Sequence, residues 1–206
     1  MKHIMESDKF IENIHAAYAA SRPKSHKLHH QAGRFMPGGD TRSVTFYKPF
    51  PTFMKYGQGS TIVDVDGIEY IDFQNNYNSL IHGQAHPRIT EAVTKQIRLG
   101  TVYGSPAESQ LLLAEELCKR LPGADKIRFC NSGTEATLLA IGLARYITHR
   151  DKILKMEGGY HGSHDIGQIS IKPALAKAGP PEKPHSVPEN AGIPPHVLKD
   201  CVVAPF

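Results

Sequence analysis

The chain has 206 residues, 40% of them hydrophobic, with 24 Lys and Arg against 20 Asp and Glu and a formal net charge of +4. That length supports one substantial domain with a small N-terminal extension, and so mild and scattered a basic excess gives no reason to expect nucleic acid. Cys118, Cys130 and Cys201, odd in number and widely spaced, read as reduced, mostly buried thiols; no apolar run reaches membrane-spanning length and the N-terminus has no targeting pattern, so a cytoplasmic location is expected.

Phe10, Ile11, Ile14 and Tyr18 fall at helical spacing, which predicts a helix from a Ser7 cap to about Ala20. The basic stretch Arg22–His30 reads as a solvated linker. Met36 to Arg42 contains Pro37-Gly38-Gly39, a sharp loop in which regular structure is forbidden. Arg42 carries the side chain best shaped to grip a carboxylate through paired hydrogen bonds, although arginines on loops are mostly solvated.

Phe53–Tyr56, Thr61–Val65 and Ile68–Phe73 predict a small antiparallel meander, its last two strands joined by Asp66-Gly67, a pair suited to a two-residue type I′ turn. Pro87 at a first helical position, with Ile89, Val93 and Ile97 behind it, predicts a helix ending by Gly100. His82 and His86 suggest a metal pair, but Gly83 and the pre-proline position of His86 break the helix that would align them, and no metal is expected. Ser105-Pro106-Ala107-Glu108 is a capping box opening a helix that Leu121-Pro122-Gly123 closes.

Residues 125–165 carry the chemistry. The β-prone run Lys126–Cys130 leads into Asn131-Ser132-Gly133-Thr134-Glu135, then an Ala- and Leu-rich helix to about His149, then a second strand at Lys152–Met156. Ser132 and Glu135 form a capping box, with the glutamate reaching back to the serine N–H. Gly133 leaves the first-turn amides unshielded, Thr134 adds a hydroxyl, and the helix dipole favours an anion such as phosphate. The same residues also suit an ordinary capped helix. Pro173–Pro195 reads as a long surface loop, whether ordered or disordered, and Val197–Val203 as the start of another strand. A sheet with strands at 126–130, 152–156 and near 201, and no helix after the last, is unfinished; the chain is expected to be truncated.

These motifs together resemble the class III pyridoxal-phosphate-dependent aminotransferases, most closely the branch around glutamate-1-semialdehyde 2,1-aminomutase. The resemblance rests on Pro37-Gly38-Gly39, Val65-Asp66-Gly67 with Tyr70-Ile71-Asp72, Gly83 with Ala85-His86-Pro87, and Arg128-Phe129 with Asn131 to Ala136. Ala144-Arg145, Gly159-Tyr160-His161-Gly162 to Asp165, and Val203–Phe206 complete it. It implies an α/β chain, the N-terminal part of a fold type I transferase, with a small antiparallel meander and an incomplete large-domain sheet. Residues 1–36 would be an N-terminal helix and linker, 37–100 the small-domain meander and helix, and 101–206 the first part of the cofactor-binding large domain.

By the same resemblance Ser132, Gly133 and Thr134 bind the cofactor phosphate, Tyr160 stacks on the pyridine with His161 close by, and Tyr77 and Arg42 belong to the substrate side. Thr45 stands where the aminomutase has its substrate arginine, Gln84 replaces a histidine, and Tyr77 replaces a tryptophan. These departures favour transamination of an amino acid or β-amino acid, with a keto acid or aldehyde as acceptor, over the aminomutase. No lysine, including Lys172, Lys177, Lys183 and Lys199, sits in the context of the family's covalent anchor. A non-catalytic cofactor- or phosphate-binding remnant and a split enzyme completed by a separate chain are therefore further alternatives. The resemblance also implies a homodimer at full length.

Overall fold

Two units, Met1–Ser105 and Pro106–Phe206, make up the chain in the computed structural model, which describes residues 2–41 and 45–206. Arg42 lies outside the described residues. The first unit begins with helix α1 (Lys2–Ser21), longer than its apolar spacing predicts, so that Ser7 falls inside the helix and not at its cap. Of the apolar stripe, Phe10, Ile11 and Ile14 are exposed; Tyr18 packs on Phe50, ring centroids 5.1 Å apart, with the Arg22 guanidinium 4.2 Å from the Tyr18 centroid.

Arg22–His30 is not a linker. Pro23–Ala32 forms helix α2, and its cap comes from another part of the chain. The Asp66 carboxylate accepts from the Lys24 and Ser25 amides at 2.7 and 2.9 Å and from the Ser25 hydroxyl at 2.8 Å. A helix start needs acceptors for its orphan N–H groups, and no neighbour in sequence supplies them here. Arg22 donates to the Tyr70 hydroxyl from Nε and Nη2 at 3.1 and 2.8 Å. Tyr70 in turn donates to Asp64 at 2.7 Å.

The meander is as expected: β1 (Met54–Gln58), β2 (Thr61–Asp64) and β3 (Glu69–Ile71) pair antiparallel in that order. Val63 faces Tyr56 on one side and Glu69 on the other. The β2–β3 turn differs. A type I′ turn needs left-handed φ at both central residues, and only Gly67 has it, at +92°. A wider connection results, closed by Gly67 N–H onto the Asp64 carbonyl at 3.2 Å. The Asp64 side chain, fully buried, accepts from the Asp66 and Ile68 amides at 2.9 and 2.8 Å. Helix α3 (Pro87–Ile97) starts at its proline, and Ile89, Val93 and Ile97 are exposed.

In the second unit α4 (Glu108–Arg120) begins after an Ala107 cap with no side-chain hydrogen bond; the Ser105 box is not used. Lys126–Cys130 has no strand assignment. A strand exists only where a neighbour completes its ladder, and β4 (Ile153–Met156) pairs instead, in parallel, with β5 (Cys201–Ala204). Between the Lys126–Cys130 run and β4 lies α5 (Gly133–Thr148). Residues Arg128 to Asn131 run beside its Leu138, Leu139 and Leu143 face, lining a cavity of about 700 Å³.

The Pro-rich segment is folded. Ser170, buried, donates its amide to Val187 O at 2.7 Å and its hydroxyl to His185 O at 2.8 Å, and its oxygen accepts from Val187 N–H at 2.9 Å. Val197 lies in a short helix, α6 (Pro195–Asp200), and not in a strand. Ile169, Ile193, Val197, Cys201 and Val203 form the core of this unit. Cys201 is buried, whereas Cys118 and Cys130 are only partly so, and all three are free. No helix among the described residues is long and apolar enough to cross a membrane.

Asp66 gives the first test. Burial opposes its ionisation, but the Ser25 and Lys24 amides, the Ser25 hydroxyl and the Lys24 charge outweigh that and hold its carboxyl below the ordinary value. Asp66→Ala is expected to cost the first unit about 1–2 kcal/mol at neutral pH, read from a urea midpoint. A depressed carboxyl stabilises above its unfolded value and loses that contribution as pH falls through the folded one. The gap between wild type and variant therefore closes in acid.

Candidate functional site

The first turn of α5 is built from short polar residues. Ser132, in extended conformation, caps the helix, its hydroxyl oxygen accepting from Glu135 N–H at 3.2 Å. Glu135 reaches back one residue further than a standard capping box: its carboxylate accepts from Asn131 N–H at 2.6 Å and not from Ser132. The Ser132 N–H is thereby left beside those of Gly133 and Thr134, which have no acceptor within the helix. A Cβ on Gly133 would meet nothing within 4 Å. The Ser132 and Thr134 hydroxyls each accept one amide, from Glu135 and Ser163, and each keeps its proton to donate.

The loop after β4 is fastened to this turn. Ser163 N–H donates to Thr134 Oγ1 at 3.1 Å. Gly162 has φ +114°, and a Cβ there would lie 2.9 Å from Thr134 Cα and 3.2 Å from Thr137 Oγ1. Only glycine permits that approach. Thr137 Oγ1 lies 2.8 Å from His161 O and 3.1 Å from His164 Nε2. His164 Nδ1 accepts from Gly167 N–H at 3.1 Å, so the ring proton sits on Nε2 and is donated to Thr137. The threonine proton then has three carbonyls as acceptors, those of His161, Gly133 and Thr134 at 2.8, 2.9 and 3.1 Å.

Tyr160, 60% exposed, has its hydroxyl 3.0 Å from Ser163 Oγ. Ser132, Gly133, Thr134 and Tyr160 thus belong to one assembly. The His161 side chain turns back on its own loop, since a Cβ on Gly159 would meet His161 Nε2 at 2.6 Å; its contribution to the helix turn is its backbone carbonyl. Thr137 and His164 tie the assembly together, and sequence reasoning missed both. Thr137 lies one helical turn beyond Gly133, a spacing that could have pointed to it.

Tyr77 lies in the first unit, 55% exposed. It sits in a run of left-handed residues, Asn75, Asn76, Tyr77 and Asn78, with φ of 48, 47, 56 and 63°. Asparagine tolerates that region and tyrosine does not. Asn75 N–H bonded to Asp72 at 2.8 Å and the Asn76–Ser79 side-chain pair at 3.0 Å hold the run. Gln84 donates to the same Asp72 at 3.0 Å. Its amide and the Asn75 N–H together hold the Asp72 carboxyl below the ordinary value. The His82 and His86 rings are 5.5 Å apart, and no group of three or more metal-binding side chains occurs among the described residues.

Residues 44–180 match the family model for class-III aminotransferases, and the chain belongs to that family. It is 46% identical over 183 residues to a glutamate-1-semialdehyde 2,1-aminomutase of Methanosphaera stadtmanae, covering 89% of this chain and 41% of that protein. Among solved structures it is similar to an omega-transaminase from Sphaerobacter thermophilus, at 43% identity and a TM-score of 0.84, over 89% of this chain and 42% of that one. A transaminase with PLP bound is 37% identical, with a TM-score of 0.81, over 90% and 42% of the two chains. The chain spans about two fifths of the length of these relatives, and over that length its fold is that of the transaminases.

Gly162→Ala is expected to cost the second unit about 1–3 kcal/mol, read from its urea midpoint, because both the φ and the Thr134 contact oppose a Cβ. His164 gives a pH test. Burial lowers its imidazole below the ordinary histidine value and the nearby His161 adds to this, against the opposing Asp165 charge and His161 carbonyl. The neutral ring is the stabilising form, so its contribution is complete above about pH 6.5 and is lost as pH falls through the folded value. The thermal midpoint should drop on acidification, with a shallower slope in His164→Gln.

Proposed function

We propose that this chain supplies the phosphate cup and ring-stacking wall of a pyridoxal-phosphate-dependent aminotransferase acting on an amino acid or β-amino acid. The observation that carries this is the donor set at the start of α5, with two hydroxyl protons and the first-turn amides converging where Gly133 leaves open space. Such a set suits a phosphate, and the helix dipole adds to it. Tyr160, fixed by the loop fastened to the same turn, offers an aromatic face for the pyridine ring.

Bound pyridoxal phosphate supplies the electron sink for amino-group transfer. Ser132, Gly133 and Thr134 hold its phosphate, and Tyr160 covers one face and excludes water from it. His161 supports the loop through its carbonyl. Tyr77 and Arg42 serve the substrate side, Arg42 by pairing with a carboxylate. No lysine of this chain is given the covalent role. The donor is a small amine-bearing acid and the acceptor a keto acid or aldehyde. The working enzyme is a cytoplasmic homodimer, with a small domain around residues 37–100 and the cofactor domain from residue 101. The curated relatives named glutamate-1-semialdehyde 2,1-aminomutase support the aminomutase as a second reading, against which Thr45 and Gln84 stand.

The test is a titration of the 206-residue chain with pyridoxal phosphate and with pyridoxal, followed by borohydride reduction and peptide mapping. Saturable binding that requires the phosphate and weakens about tenfold or more in the Ser132→Ala/Thr134→Ala double variant is expected, since hydrogen bonds to a charged group are each worth about 1.5–3 kcal/mol. Equal affinity for pyridoxal would remove the cup. Reduction fixing the ligand to one specific lysine would show that the anchor is present after all.

A further inference from the structure

Lys155 is buried in the second unit, at 6% exposure, on the inward side of β4. Its ammonium donates to the Gly159 carbonyl at 2.8 Å and to the Ile169 carbonyl. Burial pushes the ammonium below the ordinary lysine value, offset in part by Cys201 and Glu189. Around it the unit is apolar, with Ile169, Cys201 and Val203 in the core, so a hydrophobic residue of similar length would cost less to bury. What a hydrocarbon could not do is hold two carbonyls in place.

Those carbonyls have a particular position. The Gly159 carbonyl belongs to the peptide that leads into Tyr160, and fixing its plane fixes the direction in which the tyrosine leaves the backbone. The turn before it is closed by Gly159 N–H onto Met156 O at 3.3 Å, with Gly158 at φ +76°, and Gly158 N–H reaches Ser170 O at 2.9 Å. One ammonium and one amide therefore clamp the turn at 157–159 to the strand-like segment at 169–170. We propose that Lys155 is a positioning residue, whose ammonium sets the Gly159–Tyr160 peptide and through it the orientation of the ring-stacking wall. The part played by Tyr160 rests on the cofactor reading above; the clamp on the turn does not.

The experiment uses the whole 206-residue chain as wild type, Lys155→Met and Lys155→Arg, with two readouts. Amide hydrogen exchange by mass spectrometry follows peptides covering 157–163 and 168–172 against α5. Calorimetry compares inorganic phosphate with 4′-deoxypyridoxine 5′-phosphate, which has the ring and phosphate but no aldehyde. In Lys155→Met, exchange at 157–163 and 168–172 should accelerate about tenfold or more while α5 is unchanged, the size expected for losing hydrogen bonds to a charged group. Affinity for the deoxypyridoxine phosphate should fall by a similar factor with phosphate affinity retained, and Lys155→Arg should recover part of both.

Unchanged exchange at 157–163 in folded Lys155→Met would overturn the proposal. So would acceleration throughout the unit with no recovery in Lys155→Arg, since that is what a purely structural residue gives. A loss of phosphate and ring affinity in equal measure would also count against it. If wild type binds neither ligand, the cofactor reading fails, and the exchange data still decide whether Lys155 sets the turn.

Discussion

The attachment of the loop 160–164 to the first turn of α5 is the constraint on which the site depends. A helix start leaves its amides without partners, and a glycine-rich loop has no preferred shape of its own. Each supplies what the other needs. Thr134 and Thr137 offer side-chain oxygens to the loop and leave the outermost amides free. Gly162 allows the approach, and Gly167 N–H fixes the His164 tautomer, whose Nε2 proton is donated to Thr137. The result puts hydroxyl and amide donors on the same turn to which the loop carrying Tyr160 is fastened.

The first unit is organised by a different device, carboxylates that act as caps, Asp64 fully buried and Asp66 partly so. Asp64 ties its own turn and receives Tyr70, while Asp66, two residues on, caps a helix 41 residues upstream. Arg22 reaches the same cluster, 4.0 Å from Asp64 and bonded to Tyr70. These contacts fasten α1 and α2 to the meander with few buried apolar side chains, chiefly Ala32, Phe50 and Val63. Polar connection stands in for a large core, and it is unforgiving, because removing the Asp66 acceptor leaves the buried Ser25 donors unpaired.

Both units carry costs at particular places. The left-handed run through Tyr77 holds a tyrosine where asparagine or glycine would sit with less strain, and the second unit buries an ammonium among aliphatic side chains. Strained backbone and buried charge persist where surrounding hydrogen bonds over-determine them. Asp72, Gln84 and Ser79 do so for the first, and the Gly159 and Ile169 carbonyls for the second.

The sequence by itself determined whatever depends on near neighbours. Ser132 three residues before Glu135 was enough to place the start of α5, Pro87 the start of α3, and the strand-like runs on either side of Asp66-Gly67 the meander. The Ser132 cap and the open backbone at Gly133 were legible too, because cap, glycine and hydroxyl residues act locally. Tertiary structure alone decided what depends on distant partners. Helix α2 exists because Asp66 caps it, and the Pro-rich segment is ordered because Ser170 and Ile169 receive it. Lys126–Cys130 stays outside the strand ladder, since β propensity makes a strand only where a neighbour completes the hydrogen bonds. Lys155 read as one more residue of a strand; its role appears only once the chain turns back and places two carbonyls over its ammonium.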